Sequence, residues 1–374
     1  SATSIAGKSM SRVVIIGSGF AGCTAVRTLR SHGYNGDISL ISPQPELFYY
    51  PSLIWVANGQ RSEADLRINL SNFFQRQRVD YHAGQVTGIK LADKQVISDS
   101  VTLDYDYLII ASGGRYIRKL PGIEHAHVAC SGWQATNSWA DKLAAMDNGK
   151  LAFGFASNPK EPSAMRGGPV FEFLFGTDTL LRQQGKRDRF ELHFFSPAPK
   201  PGARMGEKAV DRLMAEMGRR GIKTHLGSKM KGFEANQVMT ESDSFDTDLI
   251  LFMPGMTGPA WAADSGLTLS EGGFFKADKH CRVADSDDIY VAGDAGSFPG
   301  PDWKPKQAHM ADLQAEAAAK NIISRMNGGD DQHTFKTELI CIIDSNTTGT
   351  TVSYTHLTLP TNRVAGGGGG GGGG

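Results

Sequence analysis

The chain has 374 residues, which is long enough for two domains because a single hydrophobic core stops growing near ~250–300 residues. Lysine plus arginine and aspartate plus glutamate each number 39, so the formal net charge is zero and we expect no nucleic-acid partner. The longest apolar runs, such as LILFM at residues 249–253, are far shorter than the ~20 residues of a membrane-spanning helix. The sequence therefore predicts no transmembrane segment.

The first motif lies near the start of the chain. The stretch RVVIIGSGFAGCTAVRTLRSHGY reads as a buried strand, a glycine turn and then a helix that opens with Phe20 and Ala21. Gly17 permits the tight turn, Gly19 lets a pyrophosphate approach the backbone, and Gly22 lets the helix pack on the strand. Because the helix N-terminus then faces the phosphates, the motif predicts a dinucleotide-binding site.

Three further segments contribute to this site. The strand DISLIS should end with an acid that binds ribose hydroxyls, but Ser42 stands there, and its hydroxyl can still hydrogen-bond a ribose. The stretches YDYLIIASGG and IYVAGDAGSFP each read as a strand that ends in a turn of small residues. A late return to the first domain is typical of FAD rather than NAD enzymes. The candidate FAD-binding residues in or next to these segments are Ser42, Pro43, Ala111, Ser112, Gly113, Gly293 and Asp294, together with Val86, which lies between the first two segments.

Together these segments resemble the two-dinucleotide-binding-domain flavoproteins, in particular the branch of sulfide:quinone oxidoreductases and flavocytochrome c sulfide dehydrogenase flavin subunits. The similarity covers roughly residues 11–352 and includes ISLISPQPELFYYPSLIWVANG, DLILFMPGMTGPAW and KPKQAHMADLQAEAAAKNI. It implies an α/β fold with two Rossmann-like dinucleotide-binding domains, an FAD domain and a vestigial NAD-type domain, and a short C-terminal segment at the flavin.

The resemblance also implies domain boundaries. The FAD-binding domain is expected to comprise residues 11–115 and 280–325, the second domain residues 116–279, and the C-terminal segment residues 326–352. Residues 353–374, which end in nine glycines, are expected to lie outside the fold. The opening SATSIAGKS lacks the charged and apolar regions of a signal peptide, which leaves the compartment open.

For the cofactor, the resemblance implies that Asp294 hydrogen-bonds the ribitol of FAD. It places Lys306, with Gln307 beside it, near the pyrimidine edge of the flavin, where a cation stabilises the reduced ring. We therefore expect FAD as the cofactor.

The loop ASNPKEPSAMRGGP follows the strand LAFGF, where related NADH dehydrogenases carry a second glycine fingerprint. Pro159, Pro162 and Arg166 cannot form that turn, so we expect NADH not to bind in the usual way. In the sulfide-oxidising branch this loop instead carries a cysteine six residues before a glutamate. The stretch RGGPVFEF supplies the glutamate as Glu172, but Arg166 stands at the cysteine position.

Four cysteines are scattered without any C-x-x-C pair, which argues against a zinc site and a disulfide framework, and we predict no metal. The stretch ELICIIDSNTTGTTVSY resembles the segment that brings a cysteine to the flavin, so Cys341 is the predicted nucleophile. The stretch HVACSGWQA resembles the region of an auxiliary cysteine, Cys130, although Gln134 stands near a histidine position of the branch. Cys23 is predicted to lie in the core, and so is Cys281, at the opening of the strand that leads to Gly293.

The sequence thus predicts an FAD-dependent oxidoreductase that oxidises sulfide or a small sulfur nucleophile and passes electrons to a quinone. Cys341 would react as a thiolate, Glu172 would accept a proton, and Arg166 would favour the thiolate by its charge. A flavin subunit that reduces a c-type cytochrome, a type II NADH dehydrogenase and a non-catalytic FAD-binding partner stay open as alternatives. Peripheral membrane contact and a homo-oligomer also stay open.

Overall fold

A computed structural model describes residues 11–344 and 349–352. Its first elements are β1 (Val13–Ile16), α1 (Phe20–Ser31), β2 (Ile38–Ser42), β3 (Glu46–Phe48), α2 (Leu53–Val56), α3 (Glu63–Leu66), β4 (Arg67–Asn69), α4 (Ser71–Arg76), β5 (Val79–Ala83), β6 (Val86–Lys90), β7 (Gln95–Ser98), β8 (Thr102–Asp104), β9 (Tyr107–Ile110) and β10 (Arg115–Tyr116). The middle of the chain forms α5 (Trp133–Ala144), β11 (Gly149–Phe155), α6 (Gly168–Gln183), β12 (Phe190–Ser196), α7 (Glu207–Arg219), β13 (Lys223–Leu226), β14 (Met230–Glu234), β15 (Gln237–Thr240), β16 (Ser244–Asp246), β17 (Leu249–Met253) and β18 (Met256–Thr257). The last elements are β19 (Phe275–Lys276), β20 (Ile289–Val291), β21 (Gly296–Ser297), α8 (Ala308–Met326), β22 (Cys341–Asp344) and β23 (Gly349–Val352).

The first domain is built on a five-stranded parallel sheet in the order β20, β9, β1, β2, β5. The central strand VVII is buried along its whole length, as a parallel strand covered on both faces requires. Helices α1 and α8 pack against each other. From β1 the chain moves to β2 on one side and later returns to β9 on the other. This reversal opens a crevice at the carboxyl ends of the strands, where ligands of such sheets bind.

The second domain repeats this plan with a four-stranded parallel sheet in the order β13, β12, β11, β17. Helix α6 connects β11 to β12, and α7 connects β12 to β13. The short strands β10 and β18 pair where the chain crosses between the two sheets. Two parallel sheets with helical connections confirm the predicted α/β fold of two Rossmann-like domains.

Two cysteines lie in the core, as predicted, but one of them is placed differently. Cys23 is buried in α1, and burial raises the pKa of its thiol to about 11. Cys281 is fully buried, yet it does not open the strand before Gly293, because β20 begins only at Ile289. Cys281 instead lies in a tight turn with a φ of +66°, in which its N–H bonds the carbonyl of Asp278. Residues other than glycine seldom adopt a positive φ, so no sequence pattern predicts this turn at Cys281.

Within the described ranges, no helix combines the length and apolarity needed to cross a bilayer. Among the same residues, no group of three or more histidine, cysteine, aspartate or glutamate side chains is arranged to hold a metal ion.

Candidate active site

A groove of about 1990 Å³ runs between the two domains, over the carboxyl ends of both parallel sheets. It brings together most of the residues singled out in the sequence. Those that line it are Gly17, Gly19, Phe20, Ala21, Ser42, Pro43, Ala111, Ser112, Gly113, Cys130, Arg166, Glu172, Gly293, Asp294, Lys306 and Gln307. Val86 is not among the lining residues, because it is buried in the core of the first domain.

The glycine turn after β1 has the geometry of a phosphate cradle. Gly17 has a φ of +108°, and a Cβ there would come within 2.1 Å of the carbonyl oxygen of Ala111. A Cβ on Gly22 would lie 2.0 Å from the carbonyl oxygen of Gly17, so this glycine packs beneath the turn. At Gly19 a Cβ would meet no described atom within 4 Å, since this residue faces the open groove. Helix α1 starts there without a side-chain cap or an acidic residue in its first turn, which leaves its N–H groups available to an anion.

Several polar atoms along the groove fit a ligand with hydroxyl and phosphate groups. The hydroxyls of Ser112 and Tyr116 are buried and have no hydrogen-bond partner in the part of the chain that the structure describes. Ser42 donates its own hydroxyl to the carbonyl of Gln44 at 2.7 Å, which leaves its oxygen as an acceptor. Burial raises the pKa of Tyr116, so its hydroxyl stays a donor. Together with the glycine turn, these groups can hydrogen-bond the hydroxyl and phosphate groups of FAD.

Arg166 reaches across the groove to the other domain. Its Nη2 forms an ion pair with Oδ2 of Asp294, and the two side chains are only 22% and 16% exposed. Burial lowers the pKa of Arg166, but Asp294 raises it, helped by Tyr116, Cys130 and Tyr50, and the net pKa of Arg166 lies above its ordinary value. The partner of Arg166 is therefore the aspartate that the resemblance assigns to FAD.

Lys306 lies beside the same aspartate. Its Nζ donates to the carbonyl oxygens of Asp294 at 3.1 Å and Gly296 at 2.8 Å, and it stands 3.9 Å from the ring centroid of Phe274. Burial lowers the pKa of Lys306 to about 8, even though Asp294 opposes the shift. This lysine therefore changes charge in a pH range in which enzymes work.

Cys130 and Glu172 come from the second domain. Cys130 lies in the short 3-10 helix Ala129–Ser131, is buried, and lines the groove. Burial raises the pKa of its thiol to about 12, with Arg166 acting to lower it and Glu172 to raise it. Cys130 is thus a protonated thiol at neutral pH and a weak nucleophile. Glu172 lies near the start of α6.

The C-terminal segment is held against the start of α8. The side chain of Gln307 donates from Nε2 to the carbonyl of Ile340 at 2.8 Å and accepts its N–H at Oε1 at 3.2 Å. Nε2 of His309 lies 2.6 Å from Oε2 of Glu338. We call these contacts the C-terminal clasp. Ile340 lines the groove, so the clasp brings the backbone of the next residue, Cys341, to its edge. The side chain of Cys341 is outside the described structure.

Residues 156–167, which we call the strap, connect β11 to α6. They stand at the position of the second glycine fingerprint of related NADH dehydrogenases. The side-chain amide of Asn158 donates to the carbonyls of Met256 at 2.9 Å and Gly272 at 3.0 Å. Glu161 accepts the hydroxyl of Ser297 at 3.1 Å. The contacts of Glu161 and Arg166 tie the strap to the first domain, whereas those of Asn158 hold it within the second.

Sequence reasoning did not identify several groove residues. Tyr116, Glu46 and His309 line the groove. So do second-domain cations such as Arg204 and Lys229. His309 belongs to the stretch KPKQAHM, in which only Lys306 and Gln307 are predicted to lie near the flavin. A polar residue at the first turn of a helix that faces a ligand crevice is a signal that could have found it. Tyr116 carried no comparable signal, because its burial depends on the pairing of β10 with β18.

The two parallel sheets, the glycine turn and the groove define an oxidoreductase with two dinucleotide-binding domains. The chain belongs to the pyridine nucleotide-disulphide oxidoreductase family, whose profile matches residues 11–152 and 180–315. It binds FAD, the cofactor common to the related enzymes. The unmatched interval, 153–179, contains the strap and Glu172.

Similar proteins differ in the reactions for which they are named. NADH oxidase of Lactococcus lactis is 24% identical over 307 residues, which are 77% of this chain and 64% of that protein. Type II NADH:quinone oxidoreductase of Mycobacterium tuberculosis is 25% identical over 354 residues, 85% of this chain and 73% of that protein. Sulfide:quinone oxidoreductase of Aquifex aeolicus has the same fold with a TM-score of 0.82, 23% identity and coverage of 90% of this chain and 81% of that chain. The family follows from the profile, and these relatives do not determine the substrate.

The pKa of Lys306 leads to a pH-dependent stability. Its pKa is about 8 in the folded chain and 10.5 ordinarily, so folding releases a proton between these values. The free energy of unfolding should therefore rise as the pH increases through this window, by about 3 kcal/mol. Urea denaturation of the parent and Lys306→Met at several pH values measures the difference. If the free energy of unfolding changed equally with pH in the parent and in Lys306→Met across this window, the lowered pKa of Lys306 would be contradicted.

Proposed function

We propose that the protein oxidises sulfide or a small sulfur nucleophile through Cys341 and passes the electrons from FAD to a quinone. The observation that carries this proposal is the C-terminal clasp. Gln307 follows Lys306 at the groove, and it fixes Ile340 by two hydrogen bonds, so the backbone of Cys341 starts at the groove edge. Among the cysteines whose side chains the structure describes, Cys130 is the one that lines the groove, and burial raises the pKa of its thiol to about 12.

The chemistry requires a nucleophile, a proton acceptor and an electron acceptor. Bound FAD supplies a two-electron acceptor. The thiolate of Cys341 gains a sulfur atom from hydrosulfide to form a persulfide anion, with release of one proton and two electrons. Glu172 lines the same groove and is the proposed proton acceptor.

The apolar side chains at the groove edge support a quinone as the electron acceptor. Tyr50 and Ile340 both line the groove, although they are 43% and 40% exposed. Exposed apolar side chains at the mouth of a pocket are typical of a site for an apolar ligand. A c-type cytochrome is the alternative acceptor, and the quinone is preferred because exposed apolar side chains suit an apolar ring.

A type II NADH dehydrogenase is the second candidate, favoured by the relatives named as NADH oxidase and NADH:quinone oxidoreductase. The strap argues against it. Asn158 anchors the strap within the second domain and Glu161 anchors it to the first. Arg166 forms an ion pair with Asp294 of the first domain. A dinucleotide pyrophosphate needs a glycine turn and an open helix N-terminus at this position.

Anaerobic stopped-flow mixing tests the choice of donor. We expect sulfide to bleach the FAD absorbance, and millimolar NADH to do so at least about 100-fold more slowly, a barrier difference of about 2.7 kcal/mol. Substitution of the strap proline, Pro159→Gly, serves as a control for rigidity and should not restore NADH reduction, since Asn158 still anchors the loop. Rapid bleaching by NADH would instead assign a dehydrogenase. A flavin that neither donor reduces would indicate a non-catalytic FAD-binding protein.

A further inference from the structure

Four polar side chains form a chain of contacts across the second domain, outside the groove. Nε2 of His193 lies 2.6 Å from Oε1 of Glu191, and Nδ1 of the same ring lies 2.9 Å from Nε2 of His225. Nδ1 of His225 lies in turn 2.9 Å from Oδ2 of Asp243. We call these four residues the histidine tetrad. It joins the parallel sheet of the domain, through β12 and β13, to the turn that precedes β16.

The two histidine rings of the tetrad are closely packed. Phe245 of β16 stacks on both of them, with its ring centroid 4.9 Å from one and 3.9 Å from the other. On the strands beside His193, the residues in register are Ala152 of β11 and Lys223 of β13. Nζ of Lys223 lies 3.0 Å from Oε1 of Glu191. The charges at the two rings therefore come from Lys223 and from the two carboxylates of the tetrad.

The three contacts of the tetrad require three protons on two rings. Hydrogen bonds lower the pKa of Glu191, chiefly from Lys223, and that of Asp243, chiefly from His225, so both carboxylates are ionised acceptors. Each needs an N–H from the ring that faces it, and the contact between the two rings needs a third. Two neutral imidazoles supply only two. Two imidazolium ions would bring two N–H groups face to face at 2.9 Å. The tetrad is therefore complete with one added proton.

The added proton belongs to His225. Burial lowers the pKa of His193, and although Glu191 opposes this shift, His225 and Lys223 act in the same direction as burial. His193 is thus the neutral ring with its proton on Nε2, and His225 is the imidazolium that donates at both nitrogens. A second proton can enter the pair only at Nδ1 of His193, where it meets the N–H of His225. Acid therefore breaks the contact between the rings.

The tetrad is connected to one wall of the groove. Residues 226–230, which we call the wall segment, directly follow the second histidine, and Lys229 and Met230 line the groove. The turn that contains Asp243 is bonded to this segment, since the N–H of Glu241 donates to the carbonyl of Lys229 at 2.9 Å. The wall segment is thus held at both ends by the tetrad, along the chain on one side and through this turn on the other.

We propose that the histidine tetrad is a pH switch, which fixes the wall segment while it holds one added proton and loosens it when a second proton binds in acid. The free energy of unfolding should then fall as the pH decreases below 6.5, the ordinary pKa of His193, because the unfolded chain takes up a proton that the folded chain resists. The switch lies outside the sites for FAD and for sulfide and does not depend on the electron donor.

Hydrogen–deuterium exchange of the FAD-loaded full chain, read by mass spectrometry of its peptides, tests this switch. After correction for the intrinsic exchange rate, we expect residues 226–246 to exchange at least about tenfold faster at about pH 5 than at about pH 7.5. In His193→Gln, which keeps a hydrogen-bonding side chain but cannot titrate, this acceleration should disappear. The matched control His32→Gln removes an exposed histidine of the first domain and should keep it. Acceleration that persists in His193→Gln, or is absent from the parent, would overturn the proposal.

Nitrogen-15 NMR of the histidine-labelled parent tests the proton count without relying on a variant at His193. At about pH 6.5, we expect one ring of the pair to be neutral with its proton on Nε2 and the other to be protonated at both nitrogens. His225→Gln identifies the signals. Two neutral rings at this pH, or two rings that titrate in one step, would contradict the switch. Neither measurement involves turnover, so a failure of the sulfide reaction leaves both results unaffected.

Discussion

Replacing Cys341 with serine is expected to lower the rate of FAD reduction by sulfide at least about 1000-fold, a barrier increase of about 4 kcal/mol. The physical reason is that serine cannot gain a sulfur atom as a persulfide, while its size leaves the clasp at Ile340 intact. The rate is read from the loss of flavin absorbance under anaerobic conditions, at equal FAD content in Cys341→Ser and the parent.

Cys130→Ala is the matched comparison for this experiment. Cys130 lines the groove, but its pKa is raised to about 12 by burial, so we expect the variant to keep most of the sulfide-dependent rate. Cys23→Ala controls for removal of a thiol from the first-domain core. If Cys130→Ala abolished reduction and Cys341→Ser did not, the roles of the two cysteines would be the reverse of those proposed.

Replacing Arg166 with methionine is expected to destabilise the folded protein by about 2 kcal/mol, because Asp294 would keep a partly buried charge without its partner. The double variant Arg166→Met/Asp294→Asn should recover much of this loss, since it removes the unpaired charge as well. Urea denaturation of the four proteins in this cycle gives the coupling free energy. Equal and additive losses would show that the ion pair contributes nothing to stability.

The same variant also tests the role of Arg166 in the reaction. Since Asp294 neutralises its guanidinium, we expect the pH dependence of sulfide-driven reduction to be the same in Arg166→Met and the parent. This expectation replaces the sequence-based hypothesis that Arg166 activates Cys341 by its charge. A shift of the profile to higher pH in Arg166→Met would restore that hypothesis, because loss of a nearby cation raises a thiol pKa.

The parts of the site that were predictable from the sequence are those set by local backbone geometry. The turn at Gly17 requires a positive φ and a close approach to Ala111, and only glycine meets both demands. The motif can therefore be recognised from the sequence alone. The stretch before Asp294 was recognisable for a similar reason, as a buried strand that ends in Gly293 with a φ of +78°. In both cases a few neighbouring residues determine the structure.

The rest depends on side chains that meet across long separations. Arg166 and Asp294 are 128 residues apart, and the hydroxyl of Tyr116 is buried by elements from both domains. Only the relative position of the two sheets decides such contacts, and no local pattern encodes it.

The anchoring of the strap has an evolutionary consequence. Asn158 and Glu161 fix it through contacts that do not involve residue 166, so the loop can keep its path when that residue changes. Arginine and cysteine codons can differ by one base, and a single mutation at this position therefore separates an ion-paired guanidinium from a thiol facing the same groove. Position 166 is thus a place where one base change can exchange one chemistry for another while the strap keeps its anchors.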